Sequence, residues 1–319
     1  MTKTAGIWAD AQLRVAGLGH YYPRALVRND PPDGPIGNDV DRLLLGSIGV
    51  RTRGVADESE TEPVMAVHAA TRALADADLA PEQVDLLVLG NWTQRQSIPE
   101  LAPQVAHRLG ATSALAFDVC GACAGFVHGV QTACALLAAH PSWATAVVVC
   151  AERFSRRVRP GSAGELVVGD AAGAAVLAKG GPGLVDSLLA SDGGNAETVT
   201  AYPPNLWIRS KPELLELAVS SMVDACEELL ARNGLTMADI DWVVPHPGTD
   251  LVHRRVKERL AIPTERFLTN FETRGNTGAA AIPIVLSEGH EHGRFRPGDL
   301  FLTPAVGSGW FRGALLFHL

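Results

Sequence analysis

Basic charge is the first thing this sequence is short of. Its 27 lysines and arginines stand against 35 aspartates and glutamates, a formal net charge of −8 over 319 residues. No basic face offsets that excess, which argues against nucleic acid as a partner. Long apolar runs are missing too: none reaches the roughly 18 residues of a membrane span, so no membrane is expected. The opening stretch, Met1 to Asp10, lacks the continuous apolar segment of a signal peptide. Paired cysteines are also absent. The five present (Cys120, Cys123, Cys134, Cys150 and Cys226) are odd in number and without secretory spacing. Free thiols in a cytoplasmic setting are therefore expected. Cys120 and Cys123 make a CxxC, but no second CxxC follows, so no metal site is expected.

What is present suits a globular enzyme: 47% hydrophobic and 19% charged residues, on a chain long enough to bury one large core or two fused ones. The chain is organised around residues 116–139. Ala116 to Val119 reads as the end of a buried strand, Gly121 and Ala122 permit a tight turn, and from Ala124 apolar residues recur at helical spacing through Val127, Val130, Ala133 and Leu137. Cys123 thus falls where a strand turns into a helix, where free N–H groups and the helix dipole lower a thiol's pKa. Taken alone, such a cysteine reads more readily as a small buried apolar residue.

Around this stretch strands and helices alternate. Strands are expected at 13–19, 84–89, 114–119 and 144–151, with helices at 61–77 and 99–109. A small-residue turn at Gly169 to Gly173 then runs into another strand. From Gly183 the order starts again, with strands at 184–189, 242–245, 267–270, 300–304 and 313–318 and helices at 212–233, 251–260 and 279–292. Two α/β halves of similar order, 1–178 and 179–319, imply stacked layers with a site where they meet.

Two more stretches bear on Cys123. His246 follows the run Val243-Val244-Pro245 on a Pro/Gly loop, and Asn276 precedes the small-residue run Thr277 to Ala280. A strand-end histidine alone reads as a loop residue, and an asparagine before a helix as an N-cap. Cys, His and Asn in that order, each at the end of an element, form a catalytic pattern. The sequence here resembles the thiolase-like condensing enzymes, specifically β-ketoacyl-ACP synthase III. The resemblance rests on Asp118 to Phe126, Trp242 to His246, Arg274 to Ala280, Gly169 to Ala174 and the turn Gly307 to Trp310.

The resemblance implies a layered αβαβα fold and a homodimer in which strand 114–119 pairs across the two-fold axis. Cys123 would carry the acyl group; a thiolate both attacks a thioester and later leaves. His246 and Asn276 would donate hydrogen bonds to a malonyl thioester and stabilise the enolate left by decarboxylation. The backbone N–H groups of Cys123 and Ser308 would form a second oxyanion hole, with a serine where glycine is commoner. Ile98, reaching in from the neighbouring subunit, and Phe126 would shape the acyl pocket. No cofactor is bound permanently. The substrates are phosphopantetheine thioesters, on acyl carrier protein or on coenzyme A, and Arg254 and Arg255 would dock the acidic carrier.

The usual coenzyme A contacts are missing, since Leu43, Ser47 and Ser162 stand where the family has a tryptophan and two arginines. Carrier-bound donors, and a specialised polyketide-type pathway beside fatty-acid synthesis, are the resulting expectations. Two other readings share the fold: acyl transfer from Cys123 to an alcohol or amine, and a non-catalytic partner subunit.

Overall fold

The computed structural model describes residues 6–8, 10–29, 48–96 and 98–319. Its longer helices, in chain order, are α1 (Glu62–Asp76), α2 (Ala102–Leu109), α3 (Gly125–Ala139), α4 (Leu214–Asn233), α5 (Asp250–Arg259) and α6 (Ala281–Glu291). The strands are β1 (Leu13–Tyr21), β2 (Ala25–Arg28), β3 (Thr52–Val55), β4 (Leu86–Gly90), β5 (Leu115–Val119), β6 (Thr145–Arg153), β7 (Asp170–Lys179), β8 (Leu184–Ser191), β9 (Val199–Thr200), β10 (Arg209–Ser210), β11 (Trp242–Val243), β12 (Leu300–Gly307) and β13 (Phe311–His318).

Alternation along the strands sets the layers. Every residue of β6 is buried, yet its neighbours face opposite ways: Val147, Val149 and Ala151 join one core cluster, Ala146, Val148 and Cys150 another. A strand buried on both faces needs helices on both. β6 is the middle strand of a five-stranded sheet ordered β1-β7-β6-β4-β5, with β4 parallel to β5 and β6, and β7 antiparallel to β6 and β1. Helices α1 and α2 cover its outer face, where Met65, Ala69 and Val105 meet Leu87, Leu89 and Val149.

A second sheet, ordered β11-β12-β13-β8, is covered outside by α4 and α5 through Val219, Met222, Leu229 and Val256. Between the sheets lie α3 and α6. Val127, Val130, Leu137, Ile284 and Leu286 share one cluster with Val88 and Val148 of the first sheet and with Phe301, Ala305 and Leu315 of the second. Helix, sheet, helix, sheet, helix is the expected five-layer order.

Three details differ from the sequence reading. The strand expected at 267–270 reduces to a single bridge between Val243 and Phe267, because a helical turn, Phe271–Arg274, starts at once. The hairpin β2–β3 was not expected; its residues, Ala25 to Arg28 and Thr52 to Val55, carry no apolar alternation. The stretch Ala122–Ala139 is apolar and long enough to cross a membrane by length and composition, although it holds no uninterrupted apolar run. Its Phe126, Val127, Val130, Cys134 and Leu137 are instead buried between the two sheets.

Candidate active site

Cys123 lies in the turn Ala122–Ala124 between β5 and α3. The residue before it, Ala122, has φ 45°, the left-handed region that a side chain rarely occupies. Packing holds the turn from two sides. A Cβ on Gly125 would stand 3.0 Å from the Cβ of Ala279, and one on Gly307 would stand 2.3 Å from the carbonyl oxygen of Gly121. Only glycine at 307 lets the end of β12 come this close. Ser308 follows directly, its Oγ donating to the carbonyl of Val199.

His246 is carried past the end of β11 by the same ladder. Val244 N–H donates to Leu302 O at 3.0 Å and His246 N–H to Pro304 O at 2.8 Å. Its ring is buried and Nδ1 has no hydrogen-bond partner among the described residues. Burial lowers the imidazole pKa to about 4, with the backbone of Gly278 acting the other way. At neutral pH the ring is therefore uncharged and carries one N–H to donate.

Asn276 is fixed through both ends of its amide. Oδ1 accepts from Gly278 N–H at 2.9 Å, and Nδ2 donates to Gly248 O at 3.2 Å, leaving the second amide hydrogen free to donate. The segment 276–279 thus touches the nucleophile turn through Ala279, the histidine loop through Gly248, and the histidine ring through Gly278. Those contacts bring together the three residues singled out from the sequence.

Helix α5 adds a second buried histidine. His253 packs edge-on against Phe267 and Phe271, and its Nε2 has no hydrogen-bond partner among the described residues. Burial, with His246 beside it, lowers its pKa to about 3.

The surroundings of Cys123 correct one expectation. A helix start lowers a thiol's pKa, but here burial, and after it the Glu152 carboxyl, push the Cys123 thiol up. Glu152, at the end of β6, is 0% exposed. Its Oε2 accepts from Thr93 Oγ1 at 2.7 Å and from Thr93 N–H at 3.1 Å, while Oε1 has no hydrogen-bond partner among the described residues. Glu152 was absent from the sequence reading; the one available signal was a carboxylate closing an otherwise apolar strand. Cys123 packs with Trp92, Val167 and Ile208 around Phe154, Val158 and Val168.

The other anticipated residues lie further out. Phe126 is buried in the core between the sheets. Ile98 is 91% exposed. Arg254 pairs with Asp250 at 3.0 Å and Arg255 with Glu216 at 3.3 Å. The hydroxyl of Ser162 donates to Arg159 O at 2.6 Å, while Leu43 and Ser47 lie outside the described residues. Beyond Val158 opens a cavity of about 400 Å³ lined by Arg53, Arg156, Glu165 and Trp207. Arg156 is tied there to Glu58 at 2.5 Å.

A thiol in the turn that leads into the helix between two packed sheets, with an uncharged imidazole and a fixed amide on loops that meet through residues 276–279, on an αβαβα frame, defines a thiolase-like acyltransferase. Family models described as 3-oxoacyl-[acyl-carrier-protein (ACP)] synthase III, and as its C-terminal region, match residues 117–193 and 230–319. The chain belongs to the β-ketoacyl-[acyl-carrier-protein] synthase III family. It is 34% identical to β-ketoacyl-[acyl-carrier-protein] synthase III 3 of Streptomyces coelicolor, over 94% of this chain and 95% of that one. It is 35% identical to the synthase III of Rhodospirillum centenum, over 95% and 97%. The crystal structure of the Aquifex aeolicus synthase III superposes with a TM-score of 0.90 at 31% identity, covering 96% of this chain and all of that one. The priming β-ketosynthase of the R1128 polyketide pathway gives 0.88 at 26% identity, covering 96% of each chain.

Proposed function

We propose that the protein joins an acyl group to a malonyl unit by decarboxylative Claisen condensation, with Cys123, His246 and Asn276 as its catalytic residues. The observation that carries this reading is the convergence of the nucleophile turn and the histidine loop on residues 276–279. Cys123 takes the acyl group from a thioester. The backbone N–H groups of Cys123 and Ser308 hold the oxyanion of that transfer, and the close approach of Gly307 to Gly121 supports this pairing. The malonyl thioester, carried on acyl carrier protein, then loses carbon dioxide. The uncharged His246 and the spare amide hydrogen of Asn276 stabilise the enolate without protonating it, and its carbon attacks the Cys123 thioester.

The acyl pocket is walled by Trp92 and Phe154, and the exposed Ile98 closes it from a second subunit of a homodimer. Residues 1–178 supply the nucleophile and 179–319 the histidine and asparagine. The setting is the cytoplasm, and the pathway fatty-acid or polyketide synthesis.

The test is carbon dioxide release from malonyl-carrier protein by the acylated enzyme, with mass spectrometry of the Cys123 peptide. Acyl mass on Cys123, lost in Cys123→Ala, together with carbon dioxide release, is expected. Acylation without carbon dioxide release points to transfer onto an alcohol or amine. Acyl mass on Cys120 overturns the nucleophile.

A further inference from the structure

Two residues before Asn276 stands an arginine that the condensation described so far leaves without a task. The Cζ of Arg274 lies 3.6 Å from the centroid of the Tyr22 ring, which follows directly on β1. A guanidinium so placed is held by the face of the ring. Its Nε is also 3.8 Å from Oε1 of Glu288 on α6. Glu288 ties the ring to the turn that carries the arginine. Its Oε1 accepts from the Tyr22 hydroxyl at 2.6 Å and its Oε2 from Asn270 Nδ2 at 2.8 Å. Asn270 Nδ2 reaches the Tyr22 oxygen as well, at 3.1 Å. The His20 ring packs 5.0 Å from that of Tyr22, and its Nδ1 stands 2.9 Å from Ser287 Oγ, one residue before Glu288. Only 27% of the Arg274 side chain and 22% of the Glu288 side chain are exposed, so solvent and salt screen this pair less than a surface one.

The backbone passes this grip on to Asn276. Asn270 O accepts from Thr273 N–H at 3.0 Å and from Arg274 N–H at 2.9 Å, and Phe271 O accepts from Gly275 N–H at 2.9 Å. The turn 270–275 is therefore held near both ends by side chains of the cluster, Asn270 and Arg274. Gly275 then takes φ 69°, and the next residue locks onto the segment before β7. Asn276 N–H donates to Val167 O at 2.8 Å, and Asn276 O accepts from Gly169 N–H at 3.0 Å. Neither glycine leaves slack: a Cβ on Gly275 would stand 2.5 Å from Val167 O, and one on Gly169 would stand 2.2 Å from Arg274 O. A shift of the turn thus moves Asn276 and the amide that reaches Gly248 O. The nucleophile turn meets the same segment three residues further on, at Ala279 through Gly125.

We propose that Arg274, Tyr22 and Glu288 form a clamp that positions Asn276 for the enolate, so that it governs the decarboxylative half of the reaction and not the acylation of Cys123. This rests on the condensation proposed above. The division follows from where each part is held. Arg274 fixes the backbone that leads into the malonyl-binding amide, whereas β12 fixes the nucleophile turn through Gly307. A cation is needed at 274 because one side chain there serves two unlike partners, a ring face and a carboxylate. An apolar side chain would leave the Glu288 charge with neutral donors only.

The experiment compares wild type, Arg274→Met, Arg274→Lys and Tyr22→Phe, and reads the two half-reactions separately. These are the acylation burst on Cys123 and carbon dioxide release from malonyl-carrier protein by the acylated enzyme. Arg274→Met should slow carbon dioxide release by about 10²-fold, the effect of a roughly 1 Å misplacement, and keep the burst. Arg274→Lys, which returns a cation to the ring, should recover most of that loss. Tyr22→Phe keeps the ring face but not the bond to Glu288, and should fall between the two. A Met variant whose burst and carbon dioxide release fall together would show Arg274 to be structural only. One in which neither falls overturns the clamp.

If Arg274→Met does not fold, Tyr22→Phe takes its place: the same split is expected, and equal losses in the two half-reactions overturn the proposal. A second reading needs no turnover. The side-chain amide signal of Asn276, in protein carrying isotope-labelled asparagine and assigned by its loss in Asn276→Asp, should shift in Arg274→Met and return in Arg274→Lys. An unmoved signal overturns the proposal. A wild type that releases no carbon dioxide defeats the condensation reading alone, because this signal still reports on the clamp.

Discussion

At the scale of single residues, two imidazoles decide how this protein meets acid. His246 and His253 stay neutral in the folded chain down to about pH 4 and 3, against 6.5 for an ordinary histidine. Below pH 6.5 the unfolded chain binds protons that the folded one refuses. The stability these rings provide is thus complete above pH 6.5 and is lost as pH falls toward 4 and then 3. At pH 5 the loss is about 2 kcal/mol for each ring. Urea denaturation at pH 7 and pH 5 should show it, and His253→Leu should halve the pH-dependent part. A stability unchanged between the two pH values would mean that the rings are hydrated. The proposed condensation asks for this neutrality, since a charged His246 would protonate the enolate that the proposal has it stabilise.

At the scale of elements, the nucleophile turn depends on how close β12 comes to it. Gly307→Ala would drive a methyl group into the Gly121 carbonyl and push the strand away from Cys123. Acylation of Cys123 should slow by about 10²-fold, the effect of a roughly 1 Å misplacement. Burst kinetics check this, and a wild-type rate would show that the turn tolerates the strand's retreat. Helix α5 and the loop carrying Ser162 set a second expectation. Ser162 brings no cation to the donor, and Arg156 is committed to Glu58. One acyl group should therefore give a higher kcat/KM on carrier protein than on coenzyme A. Arg254→Glu or Arg255→Glu should lower only the carrier value, and added salt should lower it too. Equal values on both donors would show that other residues grip the nucleotide. The order of elements was legible in the sequence, because apolar periodicity leaves local marks, and Cys123, His246 and Asn276, the proposed catalytic residues, were singled out there by their places at element ends. Glu152 and Thr93 were not legible. They come from the end of β6 and the loop after β4, and only the folded sheet places them side by side. The strand expected at 267–270 failed for a related reason: its apolar letters, Phe267 and Leu268, are used for a single bridge before the chain turns helical.

At the scale of the whole molecule, one end of the first sheet matters most. Among the described residues β5 ends that sheet with no neighbour beyond it, its Leu115 is 49% exposed, and Phe117 is only partly buried. Pairing with a second copy would cover such an edge. Sedimentation should give a dimer of 33.7 kDa chains at micromolar concentration, and Phe117→Lys should yield monomers with reduced activity. A fully active monomer would exclude the pairing. Helix α3 has a different consequence, one that concerns synthesis. A ribosome releases α3 and the whole first sheet well before β12 and β13, yet Phe301, Ala305 and Leu315 of those strands cover the helix on its far side. Throughout that interval a helix apolar enough to cross a membrane has only one of its two walls. The nascent chain should therefore gain from a chaperone's shelter until the last strands emerge. A gene cut after Lys179 should give an insoluble first fragment, made soluble when the second is translated alongside it.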